Sequence, residues 1–319
     1  MLSRLLLTCF ACWTAWPAVS GQPPEVVLLD PKDLGYLPPV TKTAASSAVD
    51  TRCGVNVPSA EPTKEAVHLG EYPWMARLGY TRRSKKSKRV VYSCGGTLIT
   101  ERYVLTAAHC VSRLPKDLAM TAVRLGEHNI TTERDCLETP SGEVCSDEVQ
   151  DFGVEEVIPH PEHHRPRQYH NDIALVRLDR PVERSEFVRP ICLPFDPSVR
   201  RNITGKTVTL AGFGSIGVPN DALRELHVPV VDSQKCVKAF QRFRTAIGPH
   251  QLCAGGQKGR GACAGDAGGP LMAAAVPGQP RVLVGVVSFG PATCGTQNVP
   301  DVYTRVADYK DWIVENMKN

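Results

Sequence analysis

From Trp74 to Gly290 the apolar residues fall into short runs, with glycine, proline and asparagine as turn punctuation. The runs WMARLGY (74–80), RVVYSCGGTLI (89–99), VLTAAHCV (104–111), AVRLGEH (122–128), DIALVRL (172–178), TVTLAGFG (207–214) and RVLVGVVSFG (281–290) are all of strand length. Many short strands separated by turn residues predict an all-β sandwich or a pair of barrels. The end of the chain reads differently. In RVADYKDWIVENMKN, Val306, Tyr309, Trp312, Ile313 and Met317 recur at helical spacing and predict a closing helix. Ahead of the strands, residues 21–60 carry repeated prolines and then a small polar run with no core-forming period, which predicts an extended arm.

The first twenty residues have one early arginine, Arg4, a short apolar run and a small-residue site at Ala18–Ser20. That layout predicts a signal peptide cleaved near Ser20, with an apolar run too short and interrupted to span a bilayer. The expected product is secreted, without a membrane span. Cysteine usage agrees. Of 12 cysteines, Cys9 and Cys12 leave with the signal peptide and an even set of ten remains, as an oxidising compartment favours. Among those ten no CxxC pair occurs, which argues against zinc and thiol-redox chemistry. Asn129 and Asn202 open N-x-T sequons and are expected glycan acceptors. A formal charge of +4 with 22% charged residues is too weak a bias to imply a nucleic-acid or membrane partner.

Three segments carry candidate chemistry. TAAHC holds His109, HNDIALVRL puts Asp172 at the head of an apolar run, and GDAGGP supplies glycines able to turn two N–H groups toward one point. A base, an orienting carboxylate and an oxyanion cradle are three of the parts that acyl transfer needs. With GEYPWM (70–75), RPICLP (189–194), AGFG (211–214), SFG (288–290) and PDVYTRV (300–306) in order, the chain from about residue 61 resembles the chymotrypsin-like serine proteases. The resemblance implies two antiparallel six-stranded β-barrels, a cleft between them and a C-terminal helix. The implied domains are 1–20 (signal peptide), 21–60 (a light-chain-like arm held by Cys53) and 61–319 (the trypsin-like unit). It also implies the disulfides Cys53–Cys192, Cys94–Cys110, Cys136–Cys145, Cys236–Cys253 and Cys263–Cys294. The extra Cys136–Cys145 staple resembles arthropod clip-type proteases, although the six-cysteine clip module is not expected upstream.

Against that family the chain departs in three places. The nucleophile position is Ala267, whose methyl cannot attack a carbonyl, so the triad implied by the resemblance is degenerate: His109, Asp172, Ala267, with Gly265 and Ala267 as relics of the oxyanion hole. The new amino terminus that pairs with Asp266 in activated relatives would fall at Glu61, after Ala60, and no Arg-Ile-Val-Gly-Gly segment exists. Lys64 and Arg52 are nearby cleavable bonds, but no apolar terminus follows either. A buried, unpaired Asp266 is costly, so its segment is expected to stay zymogen-like or to find another partner. In the specificity pocket, lined by implication with Gly261, Ser288, Gly290 and Asp301, the basic-selective aspartate is Gly261, and Asp301 stands on the opposite wall. A carboxylate there can attract Lys or Arg, or occlude the slot; both readings stay open.

Arg82, Arg83, Lys85, Lys86, Lys88 and Arg89 crowd one predicted loop, read either as a solvated hairpin or as an exosite for an acidic protein or sulfated glycan. The Glu127–Asp147 loop is acidic and some family members bind calcium there, so calcium stays open; no other metal or cofactor is expected. HPEHHRPRQYH (160–170) reads as a loop without metal spacing. The expectation is a secreted, disulfide-bonded, glycosylated protease homologue without proteolytic activity. By its clip-type resemblance it would be a cofactor that binds a protease or zymogen of an extracellular immune or melanization cascade. An active endopeptidase in a nucleophile-less variant is the alternative, and a purely glycan-binding module the third; an engineered knock-out would have kept the activation sequence.

Overall fold

The computed structural model describes residues 53–55, 67–83, 89–139, 142–195, 202–214, 221–273 and 280–318. The expected signal peptide, most of the expected arm, the Glu61 region and Lys85, Lys86 and Lys88 lie outside them. The first half forms β1 (Met75–Arg82), β2 (Val91–Leu98), β3 (Tyr103–Thr106), the short helix α1 (Ala108–Val111), β4 (Leu118–Leu125), the hairpin β5 (Cys136–Thr139) and β6 (Gly142–Cys145), then β7 (Gln150–Pro159) and β8 (Ala174–Leu178). Six of these strands close a barrel in the order β1-β2-β3-β8-β7-β4, every neighbour antiparallel. Closure leaves no edge unpaired.

In the second half, β9 (Thr207–Gly212), β10 (Arg224–Val231), α2 (Ser233–Gln241), β11 (Gln251–Gly255), β12 (Pro270–Ala273), β13 (Val282–Phe289) and β14 (Pro300–Arg305) repeat the design. Their barrel runs β10-β11-β14-β13-β12-β9. A 3₁₀ turn over Val306–Tyr309 leads into α3 (Lys310–Asn316), so the closing helix is shorter than its apolar spacing suggests.

Alternation along the strands sends one set of side chains inward. Trp74, Leu78, Leu98, Leu105, Leu125 and Leu175 fill the first barrel; Leu210, Val228, Leu252, Leu271 and Tyr303 fill the second. The first core continues across the interface through Met272, Leu283 and Val286 to Val306 and Ile313, and the Trp74 Nε1–H donates to Met272 Sδ at 3.1 Å. The cleft between the barrels therefore has a packed floor. All five disulfides are formed in the pairing that the resemblance implies. Cys53–Cys192 holds the arm on the second barrel, where the Gly54 N–H donates to the Pro190 carbonyl (2.9 Å) and the Gly54 carbonyl accepts from Arg281 N–H (2.8 Å).

Candidate functional site

The run VLTAAHCV is not one strand. β3 stops at Thr106 and the chain turns at once into α1, which sets His109 at the cleft. Asp172 lies just before β8 and is wholly buried. His109 Nδ1 stands 2.7 Å from Asp172 Oδ2, and the His109 backbone N–H donates to Oδ1 at 2.9 Å. From the second barrel, Ser288 Oγ–H donates to Oδ2 at 2.5 Å and Thr304 Oγ1–H donates to the Asp172 carbonyl at 2.7 Å. One carboxylate thus gathers donors from both barrels.

Burial alone would raise the Asp172 pKa, but the His109 hydrogen bond and charge, aided by Ser288, bring it below the ordinary carboxylate value. Burial likewise pushes the His109 imidazole down, and the Asp172 hydrogen bond and charge outweigh it, so the pKa ends raised. A depressed carboxylate stabilises the fold above its unfolded value and loses that contribution as pH falls through the folded one. A raised histidine contributes fully below its unfolded value and loses it as pH rises. The pair therefore stabilises most between about 3.8 and 6.5, the two ordinary values. Asp172→Asn supplies an NH₂ where three donors converge, leaving at least one unmatched. We expect a loss of about 1–3 kcal/mol, read as a lower denaturation midpoint at pH 6; an unchanged midpoint would rule out this anchoring role.

Sequence reasoning missed His163. Its Nε2 lies 3.4 Å from Asp172 Oδ1, the oxygen that also accepts the His109 backbone N–H, and its Nδ1 lies 3.2 Å from Ser112 Oγ. Burial, only partly offset by Asp172, pushes its pKa down to about 4, so it sits neutral beside the carboxylate. Nothing in the spacing of HPEHHRPRQYH signals this contact, which the loop from His160 to Asn171 creates by folding back.

The GDAGGP turn is clamped from two sides. The Ala267 carbonyl accepts from Gly95 N–H at 2.7 Å, and the Gly268 N–H donates to the Val287 carbonyl at 2.9 Å. Gly268 has φ +80°, and a Cβ there would meet Thr106 Oγ1 at 2.2 Å and the Gly95 carbonyl at 2.5 Å; only glycine fits. His109 and Ala267 come together against Cys110: its Sγ is 3.7 Å from His109 Nε2 and 3.7 Å from the Ala267 carbonyl oxygen. Among the described residues, the N–H groups of Gly265 and Ala267 make no hydrogen bond. Asp266 does find another partner. Its Oδ1 accepts from Gly214 N–H (2.7 Å) and its Oδ2 from Cys263 N–H (2.9 Å), with no cation beside it among the described residues. Burial still raises its pKa, offset only in part by those two donors.

Asp301 is 2% exposed. Its Oδ2 accepts from Ala262 N–H at 2.8 Å, while Oδ1 has no hydrogen-bond partner. A Cβ on Gly261 would lie 2.7 Å from Oδ2 and one on Gly290 would lie 2.3 Å from Oδ1. The carboxyl thus occupies space that these glycines leave. Burial, with a smaller push from Asp266, raises its pKa to about 7.

Of the basic loop, Arg82 forms an exposed pair with Asp117 at 3.3 Å. In the acidic loop, Asp135 is buried and spends its carboxylate on the chain itself: Oδ2 accepts from the N–H groups of His128 and Asn129, and Oδ1 from Thr132 Oγ1. Glu127 faces Arg77 and Arg124, at 3.7 and 3.4 Å. The loop tip is the β5–β6 hairpin, with Cys136 opposite Cys145. Both sequons sit on turns: Asn129 Oδ1 accepts from Thr131 N–H and Asn202 Oδ1 from Thr204 N–H.

Two closed antiparallel barrels with a histidine–carboxylate pair in the cleft define the trypsin-like class. A family model described as Trypsin matches residues 63–313, and the chain belongs to that family. It is 40% identical over 272 residues to phenoloxidase-activating factor 3 of Holotrichia diomphalia, covering 84% of this chain and 75% of that protein. It is 38% identical over 285 residues to CLIP domain-containing serine protease B4 of Anopheles gambiae, covering 87% and 76%. The Drosophila Grass clip serine protease of the Toll pathway superposes with a TM-score of 0.71 at 35% identity, covering 83% of this chain and 74% of that one. No helix among the described residues is long and apolar enough to cross a membrane.

Proposed function

We propose that this chain is a catalytically silent member of the family that works by binding, as a secreted regulatory cofactor in an extracellular protease cascade of the melanization or immune type. The observation that carries the reading is Ala267: the clamped turn that should present a nucleophile presents a methyl group. In a triad enzyme, loss of the serine costs on the order of 10⁶-fold in turnover, which leaves affinity as the remaining use of the cleft. Relatives named as a phenoloxidase-activating factor and a melanization protease support the cascade. Secretion, glycans on Asn129 and Asn202, and division at residues 20 and 60 belong to the same reading. The partner is a protease or zymogen, with a sulfated glycan on the basic loop as a further ligand.

One observation favours a second reading, an active endopeptidase in nucleophile-less form: the His109–Asp172 pair is intact and the Gly265 and Ala267 N–H groups are unspent. The deciding assay uses the secreted protein with Lys and Arg peptide esters, before and after exposure to a trypsin-like activator. No turnover above background is expected under either condition. Turnover by the natural protein would overturn the silent reading.

A further inference from the structure

Beside Gly265 opens a cavity of about 60 Å³, lined among others by Met75, Arg77, Tyr92, Phe213 and Asp266. That is several times the space one water needs, enough for a carboxylate head. Arg77 projects into it from the middle of β1 with a side chain only 15% exposed. Its guanidinium lies over two rings, 4.7 Å from the Tyr92 centroid and 5.0 Å from that of Phe213. The only carboxylate within 4 Å among the described residues is Glu127, at 3.7 Å, which also faces Arg124. The Arg77 guanidinium makes no hydrogen bond among the described residues, although it carries five N–H donors in a fixed fork.

A half-buried cation so thinly compensated is costly in isolation, and burial pushes its pKa down, with Glu127 and Tyr92 opposing. The other charged lining residue, Asp266, forms no ion pair with it among the described residues. Both Asp266 oxygens are taken by the Gly214 and Cys263 N–H groups. Around the rim, Tyr92 Oη donates to Asp151 at 3.4 Å and Arg124 lies 5.4 Å from the same ring. Two cations flank the Tyr92 ring, and Asp151 is bound bidentately by Arg124.

We propose that this cavity is a carboxylate-binding site in which Arg77, held between Tyr92 and Phe213, takes a carboxylate from the partner chain lying along the cleft. The proposal rests on the binding reading above and specifies the partner's chemistry: an acidic side chain or a free chain terminus next to the Ala267 turn. Planar, bidentate recognition is what arginine offers and lysine does not.

The test uses the whole secreted protein and three probes: N-acetylglutamic α-amide for the side-chain source, N-acetylglycine for the terminus, and N-acetylglutamine amide as the neutral control. Binding is followed by NMR at the Arg77 Nε–H and the Gly265 amide. At least one charged probe is expected to saturate, and whichever does identifies the source; the neutral probe shifts nothing. Arg77→Met should weaken binding at least tenfold, with Arg77→Lys, which keeps the charge and tolerates the same space, in between. Failure of both charged probes to shift these signals overturns the proposal, as does equal binding by Arg77→Met. Binding that emerges only in Asp266→Asn also overturns it, since Arg77 would then be paired internally in the natural protein. Ester hydrolysis by the natural protein, which would end the silent reading, is a separate readout from probe binding, so the two failures are distinguishable.

Discussion

Ala267→Ser is expected to raise hydrolysis of an arginine thioester by about 10³-fold over the natural protein, still well short of the roughly 10⁶-fold that a complete triad gains from its serine. The gain is expected because the other parts stand ready. His109 is oriented by Asp172 at 2.7 Å, its Nε2 and the Ala267 carbonyl oxygen each lie 3.7 Å from the Cys110 sulfur, and the Gly265 and Ala267 N–H groups are unspent. The shortfall is expected because Asp266 is held by two backbone N–H groups instead of an ammonium, and because the buried Asp301 carboxyl takes up the space that Gly261 and Gly290 leave. Steady-state rates would be read beside covalent labelling by a fluorophosphonate, which needs an activated hydroxyl but no specificity pocket. Labelling without thioester turnover would locate the deficit in the pocket. Absence of both would show that the turn is not held in solution as it stands here, and that Ala267 is not the sole block.

Much of this arrangement was legible because its signals are local. Strand-length apolar runs anticipated β1 to β4 and β8 of the first barrel but only β9 and β13 of the second, and His109, Asp172 and Ala267 were readable from their flanking residues. What escaped depends on contacts between distant segments or on weak local signals. Helix α2 buries only Cys236 and Phe240, too narrow a stripe to stand out, although Asp232 caps it by accepting from the Gln234 and Lys235 N–H groups. His163 reaches Asp172 only because its loop folds back, and no periodicity encodes that. The fate of Asp266 was open for the same reason: Gly214, whose N–H donates to it, is 52 residues away.

Asp301 shows most clearly what a sequence leaves open, since a carboxylate at that position predicts attraction and occlusion equally. Its buried, half-satisfied carboxyl allows the two to be separated by stability. A carboxyl raised in the fold contributes fully below its unfolded value of 3.8 and loses that contribution as pH rises toward the folded value of about 7. Over that rise, at about 1.4 kcal/mol per pH unit, the penalty above pH 7 reaches an upper figure of about 4 kcal/mol. Asp301→Asn keeps the shape and an acceptor for the Ala262 N–H but never charges. The variant should therefore be the more stable protein at pH 8.5, by up to that amount, and within about 1 kcal/mol of the natural protein at pH 4.5, where the acid is neutral in the fold. Urea midpoints at the two pH values measure the difference. If the gap is the same at both, the carboxylate is solvated when charged and the slot stands open to a lysine or arginine. If the gap opens only at high pH, the natural side chain fills the slot as a neutral acid through the mildly acidic range, and a basic ligand must first draw off its proton to bind there.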